Sequence, residues 1–302
     1  MSEALLARRD RIAIVRFNRP DALNAMNRAM AEAYAATLRE LDNDPDVRAV
    51  VVTGQGRGFC SGADLALLGD GPANIWDNII PADTADLPGF VRHLSIPAIA
   101  AVNAPVAGVG FAYLMGSDVR FLADDATIAT SFARLGLVAE YGLSWLRPRV
   151  IGLGRSLDVL LTGRALSASD ARSLGLVEYV VPSEHLLDAA VAYATDLAEN
   201  CSPFSVASIK AQIYTDLARD EHTALHDTLA RMDASFRYGD LDVALAARDD
   251  HRRPNFGPDD RDSVAREETP PRHQKVFRAC TGADQRPVTE CEIPTRTAFD
   301  IE

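Results

Sequence analysis

The sequence predicts an α/β fold. Short β-branched runs alternate with stretches of helical spacing in the first half of the chain, glycine-containing turns follow those runs, and helical stretches dominate from about residue 143. In order, Arg11 to Phe17 (RIAIVRF) is the first strand. Residues 26–42 form a helix with Met26, Met30, Ala33, Thr37 and Leu41 along one stripe. Val47 to Thr53 (VRAVVVT) is the next strand, closed by Gly54, Gly56 and Gly58. Residues 69–90, rich in Gly, Pro and Asp, read as a mobile connection over a pocket. The pattern then returns with a strand at 98–103, a small-residue helix at 108–117 and strands at 118–123 and 127–130. Helices follow at 143–152, 155–161, 168–174, 184–200, 204–217 and 225–238, with a short strand at 177–181. There is no internal repeat.

Composition excludes several classes of function. Of 302 residues, 47% are hydrophobic and 25% charged, as in globular proteins, and the net charge is -12. Such a surface repels phosphate backbones and anionic lipid, so neither nucleic acid nor a membrane is an expected partner. Cys60, Cys201, Cys280 and Cys291 lack CxxC spacing, which fits a reducing compartment and offers no zinc site. The N-terminal residues lack the apolar run of a signal peptide, and no later run reaches the ~18 apolar residues of a membrane span. A cytoplasmic location is expected.

Two glycine corners carry the functional signal. Gly54 to Leu65 (GQGRGFCSGADL) and Ala104 to Gly110 (APVAGVG) each follow a strand and open a helix, whose first N–H groups lack intrahelical partners. Two such amides converging on one point form an oxyanion hole. Taken alone, each corner reads as an ordinary tight turn.

In order and together, the stretches FNRPDALNAMN (17–27), VVTGQGRGFCSGADL (51–65), IPAIAAVNAPVAGVGFAYLMGSDVRFLADDATI (96–128), FARLGLV (132–138) and LTGRALSASDARSLGLVEYVV (161–181) resemble the crotonase, or enoyl-CoA hydratase/isomerase, superfamily over about residues 8–250. The resemblance implies a β-β-α spiral core at 1–195 and a helical oligomerisation or lid region at 196–252, which makes the trimer contacts. A flexible, proline-containing tail is expected at 253–302. It further implies an acyl-CoA thioester as ligand, a homotrimer or dimer of trimers, and no cofactor beyond the coenzyme A of the substrate. In the family the thioester oxygen sits between two backbone amides, which fall here on Ala63 and Val109. Coenzyme A then lies near Asp21, Ala22 and Leu23, along Ser61, Gly62, Asp64 and Leu65, and by Gly108, with Arg19 or Arg57 available to the phosphates. Asp64 also reads as a cap for the turn that follows it.

An oxyanion hole cannot move a proton, so a carboxylate is needed beside it. The family's hydratases use two glutamates, and those positions hold Ala112 and Phe132 here. Glu140, in LGLVAEYG, matches the position where the family's single-acid isomerases carry their proton shuttle. An apolar setting of Leu137, Val138 and Trp145 is expected to raise its pKa. The other reading of Glu140 is a carboxylate answering the dipole of the following helix. Asp118 reads as a structural partner for backbone or trimer contacts, Cys60 as a small buried thiol, and the six histidines as surface or packing residues. The expected activity is double-bond isomerisation of an enoyl-CoA through Glu140 without a metal. The alternatives are enoyl-CoA hydration and non-catalytic acyl-CoA binding on the same fold.

Overall fold

The computed structural model describes residues 2–68 and 74–257. A hairpin of β1 (Ala4–Arg9) and β2 (Ile12–Phe17) turns through Asp10, whose φ is 51°, and continues in parallel to β3 (Ala49–Gly54). Then β4 (Ala98–Val102) is added in parallel, while the two-residue β5 (Val106–Ala107) leaves the sheet. Next come β6 (Val119–Ala123), β7 (Ile128–Ala129), β8 (Ala165–Leu166) and β9 (Tyr179–Val181). The main sheet runs β1-β2-β3-β4-β6-β9, parallel from β2 onward, and β5-β7-β8 form a small second sheet. Every residue of β3 and β4 is buried, which is why AVVVTG and AIAAV are continuous apolar runs rather than alternating ones.

Helix α1 (Arg28–Asp42) starts where the Asn27 side chain accepts a hydrogen bond from Met30 N at 2.8 Å. A short α2 (Asn74–Asn78) and two 3-10 turns occupy the segment read as a mobile connection, and residues 69–73 of it lie outside the described residues. Helices α3 (Val109–Gly116), α4 (Leu143–Ile151), α5 (Leu153–Thr162) and α6 (Ala168–Leu174) follow. The last four are α7 (Leu186–Asn200), α8 (Pro203–Asp216), α9 (Glu221–Tyr238) and α10 (Asp240–Asp249). Helix α7 packs on β2, β3, β4 and β6 and runs unbroken across residue 195, where the helical region was expected to begin. Residues 258–302, including His273, Cys280 and Cys291, lie outside the described residues, as does most of the expected tail. Among the described residues, no helix is long and apolar enough to cross a membrane, and no cluster of His, Cys, Asp or Glu could hold a metal ion.

Asp118 fastens α8 to the sheet. Its carboxylate accepts from Ala98 N (2.7 Å) and the Tyr214 hydroxyl (2.8 Å), and it pairs with Lys210 Nζ at 2.7 Å. The buried Lys210 also donates to Val91 O and Ile96 O, so its ammonium has full partners.

Arg147 is different. It occupies the core-facing stripe of α4 between Leu143 and Ile151 and is fully buried, with its guanidinium 4.6 Å from the Phe111 ring centre. None of its three guanidinium nitrogens has a hydrogen-bond partner among the described residues. Burial pushes its pKa down to about 10, against the pull of Asp158. Stacking on an aromatic face contributes about 2 kcal/mol at a desolvated site, whereas desolvating an ion costs several. Replacing Arg147 with Leu should therefore raise the melting temperature by a few degrees, corresponding to about 1–2 kcal/mol. A lowered melting temperature would show that the cation contributes net stability.

Candidate active site

The first corner is set by a strand-like contact. Met26 N donates to Gly62 O at 2.7 Å and Asp64 N donates to Met26 O at 2.9 Å, so Met26 pairs with the residues on either side of Ala63. In a parallel ladder this turns the N–H of the intervening residue to the opposite side. Ala63 N–H accordingly has no hydrogen-bond partner among the described residues. Asn24, fully buried, holds the preceding loop by donating to Gln55 O (3.0 Å) and Gly58 O (2.6 Å).

At the second corner Gly108 is the N-cap of α3 with no side-chain cap, and its own N–H is used by Ala129 O at 3.2 Å. Val109 N–H is the first orphan donor of that helix and has no partner among the described residues.

The two corners touch. A Cβ placed on Gly62 would lie 3.4 Å from Ala107 O and 3.9 Å from the Gly108 Cα, and one on Gly108 would lie 3.6 Å from the Gly62 Cα. Gly62 has φ +115° and Gly108 φ +50°, conformations that a side chain disfavours. Ala63 and Val109, whose N–H groups are unpartnered, directly follow these two touching glycines. Cys60 seals the contact from behind: Ala107 N donates to its carbonyl at 3.1 Å, and a Cβ on Gly110 would sit 2.3 Å from the same oxygen. The Cys60 thiol is fully buried and pushed up to about 12 by desolvation, so it is a neutral packing group.

The third segment follows a 3-10 turn at Ala133–Leu135. Glu140 sits before α4, its carbonyl accepting from Leu143 N at 3.0 Å, and its half-buried carboxyl is held above the ordinary carboxylate range by desolvation. Tyr141, next to it, has φ +53° despite its bulk and packs against the core. Its hydroxyl pKa is raised by burial first, then by the Glu140 carboxylate and the Cys60 thiol. Leu137, Val138 and Trp145, expected to form an apolar setting for Glu140, are themselves exposed. Ala112 and Phe132 are buried and bring no acid to the site.

Around the first corner, Ser61, Leu23 and Leu65 are exposed and neighbouring, with Ser61 Oγ donating to Ala22 O at 3.3 Å. Arg19, read as a phosphate ligand, is committed elsewhere: it pairs with Asp64 at 2.6 Å and donates to Ala25 O. Asp64 in turn accepts from Ala66 N at 3.2 Å, capping the turn Leu65–Leu68. Arg57 is exposed. The sequence reading did not single out Tyr113, Tyr141 or Arg147. The direct adjacency of Tyr141 to Glu140 was the available signal for one of them.

Comparison with known proteins follows the same lines. The family model described as enoyl-CoA hydratase/isomerase matches residues 7–257. A probable enoyl-CoA hydratase of Mycobacterium bovis is 34% identical over 262 residues, covering 83% of this chain and 91% of the relative. The 1,2-epoxyphenylacetyl-CoA isomerase of Escherichia coli is 34% identical over 244 residues, covering 76% of this chain and 90% of the relative. Among solved structures, an enoyl-CoA hydratase from Bacillus anthracis superimposes with a TM-score of 0.79 at 27% identity, covering 85% of this chain and all of the other.

Gly110→Ala tests the contact between the corners. Its methyl group must displace the Cys60 carbonyl, and overpacking of this kind costs about 1–3 kcal/mol. The variant should melt several degrees lower, and an unchanged melting temperature would mean that α3 does not abut Cys60 as described.

Proposed function

Since the chain belongs to the enoyl-CoA hydratase/isomerase family, we propose that it is a double-bond isomerase of enoyl-CoA thioesters with one proton shuttle, Glu140. The observation that carries this reading is that the touching corners leave the amides of Ala63 and Val109 unpartnered; the desolvated carboxyl of Glu140 supplies the acid, and Ala112 and Phe132 contribute none. The ionised Glu140 takes the C2 proton of a 3-enoyl-CoA. The electron pair moves into the thioester, and its oxygen is held by the two N–H groups, each worth roughly 3 kcal/mol of barrier. Glu140 then returns the proton at C4, and the double bond settles between C2 and C3. A raised carboxyl pKa suits both halves, because the group must give the proton back as readily as it takes it.

Ala22, Leu23, Ser61, Gly62, Asp64, Leu65 and Gly108 border the corner on the side where coenzyme A is proposed to lie. The exposed apolar residues Ile209, Ile213, Leu225, Leu229 and Phe236 on α8 and α9 support assembly through these helices, a homotrimer or dimer of trimers being the expected form. A second reading, hydration, is favoured by the relatives named enoyl-CoA hydratase. It needs a second proton-handling group besides Glu140. Mass spectrometry after incubation with crotonyl-CoA and a longer 3-enoyl-CoA separates the two, since only hydration adds water.

Glu140→Gln should lower kcat by about 10³-fold or more while acyl-CoA still binds. Near-normal turnover in that variant would end the reading. In the wild-type enzyme kcat/KM should fall on acidification as Glu140 takes up a proton, and the midpoint should lie above that of an exposed glutamate because desolvation raises its pKa. A limb at the ordinary glutamate value would assign the base to a solvated group.

A further inference from the structure

We propose that Arg19 is a positioning residue for the amide pair: its guanidinium ties together the two segments whose pairing aims the Ala63 N–H, and it acts through that amide, not on coenzyme A. The inference rests on the reading that Ala63 and Val109 hold the thioester oxygen.

The Gly62 carbonyl and the Ala63 N–H are the two ends of one planar peptide group, and in a trans peptide they point in opposite directions. Met26 N grips the carbonyl end at 2.7 Å, so the position of Met26 decides where the N–H end is aimed. That grip is slender. Met26 and Ala63 form an isolated bridge outside both sheets, whose other bond runs from Asp64 N to Met26 O at 2.9 Å. The chain enters the bridge through Leu23 and Asn24, whose φ values of 50° and 54° are left-handed and unfavourable for a leucine. Two hydrogen bonds between short strands do not fix such a segment on their own.

Arg19 supplies the further tie. One arm of its guanidinium, Nη1, donates to Ala25 O at 2.5 Å, and the other, Nη2, donates to Asp64 Oδ2 at 2.6 Å. Ala25 directly precedes Met26 and Asp64 directly follows Ala63, so the rigid fork spans the bridge from one segment to the other. The Arg19 backbone holds the entry loop as well: its N–H donates to Asn24 Oδ1 at 2.7 Å, and its carbonyl accepts from Asn24 N at 2.8 Å. With 21% of the Arg19 side chain and 12% of the Asp64 side chain exposed, water and salt compete weakly for the pair. A phosphate would have to draw the guanidinium away from both acceptors. The second amide is held independently: Val109 follows Gly108, whose N–H is taken by Ala129 O at 3.2 Å. Loss of the fork should therefore misaim one donor and leave the other in place.

Bound acetoacetyl-CoA reads the aim of the donors without turnover, because loss of its C2 proton gives an ultraviolet-absorbing enolate that carries charge on the thioester oxygen. Spectroscopic pH titration at saturating ligand would give the midpoint of that ionisation for the wild type, Arg19→Met and Arg19→Lys. Lysine keeps the positive charge but lacks the fork. Calorimetry would give the affinity, and thermal melting would show that each variant is folded. In the wild type the midpoint should lie below that of free acetoacetyl-CoA. In both variants it should rise by about 1 pH unit or more. Affinity measured below the midpoint should stay within about 3-fold of the wild type. A wild-type midpoint in either folded variant would overturn the role, and weaker binding with an unmoved midpoint would make Arg19 a coenzyme A ligand instead. A wild-type midpoint no lower than that of the free thioester would contradict the amide pair itself, and the role of Arg19 with it.

Discussion

The site depends on how closely two backbones approach at Gly62 and Gly108. Both positions hold backbone angles that disfavour a side chain, and a Cβ on either would already touch the other corner. With both bare, the strand-like pairing of Met26 with Gly62 and Asp64 and the uncapped start of α3 leave two N–H groups unused next to each other. The proposed chemistry starts from that vacancy of partners. A pair of amides is rigid, cannot be titrated and needs no reorganisation to meet a developing oxyanion. The core behind it, Cys60 against Gly110 and the rings of Phe17, Phe59 and Tyr113, fixes the corners to the sheet.

The chain carries a net charge of -12, so most of its carboxyls are ordinary surface charges, whereas desolvation resists the ionisation of Glu140. A proton shuttle benefits from that resistance, since a carboxylate solvated as in water would keep its charge and be slow to return the proton. Tyr141, beside Glu140, keeps a left-handed backbone despite its bulk and is itself largely buried.

Much of the fold was legible because β3 and β4 are buried on both faces and so appear as unbroken apolar runs, and because Asn27 and Ser167 mark helix starts by capping them. The omissions have physical reasons. β1 lies at the sheet edge with five exposed residues of six, so ALLARR carries no alternation to read. β5 and β8 are two residues long, and α10 follows α9 with only Gly239 between them, so neither leaves a periodic signal of its own. At the candidate site, the meeting of the two corners could be placed from motif order. The engagement of Arg19 by Asp64 could not, because the partners are 45 residues apart and both are ordinary surface residue types. The conformation of Tyr141 was hidden for a different reason: its left-handed backbone is imposed by the surrounding fold, and nothing in the residue type announces it.

The most direct test of the amide pair is the infrared stretch of a thioester carbonyl, labelled with ¹³C and bound as a non-reacting acyl-CoA analogue. Two N–H donors from Ala63 and Val109 should polarise that bond and move its frequency below the value for the same thioester in water. A frequency at or above the aqueous value would place the carbonyl away from both amides and contradict the assignment.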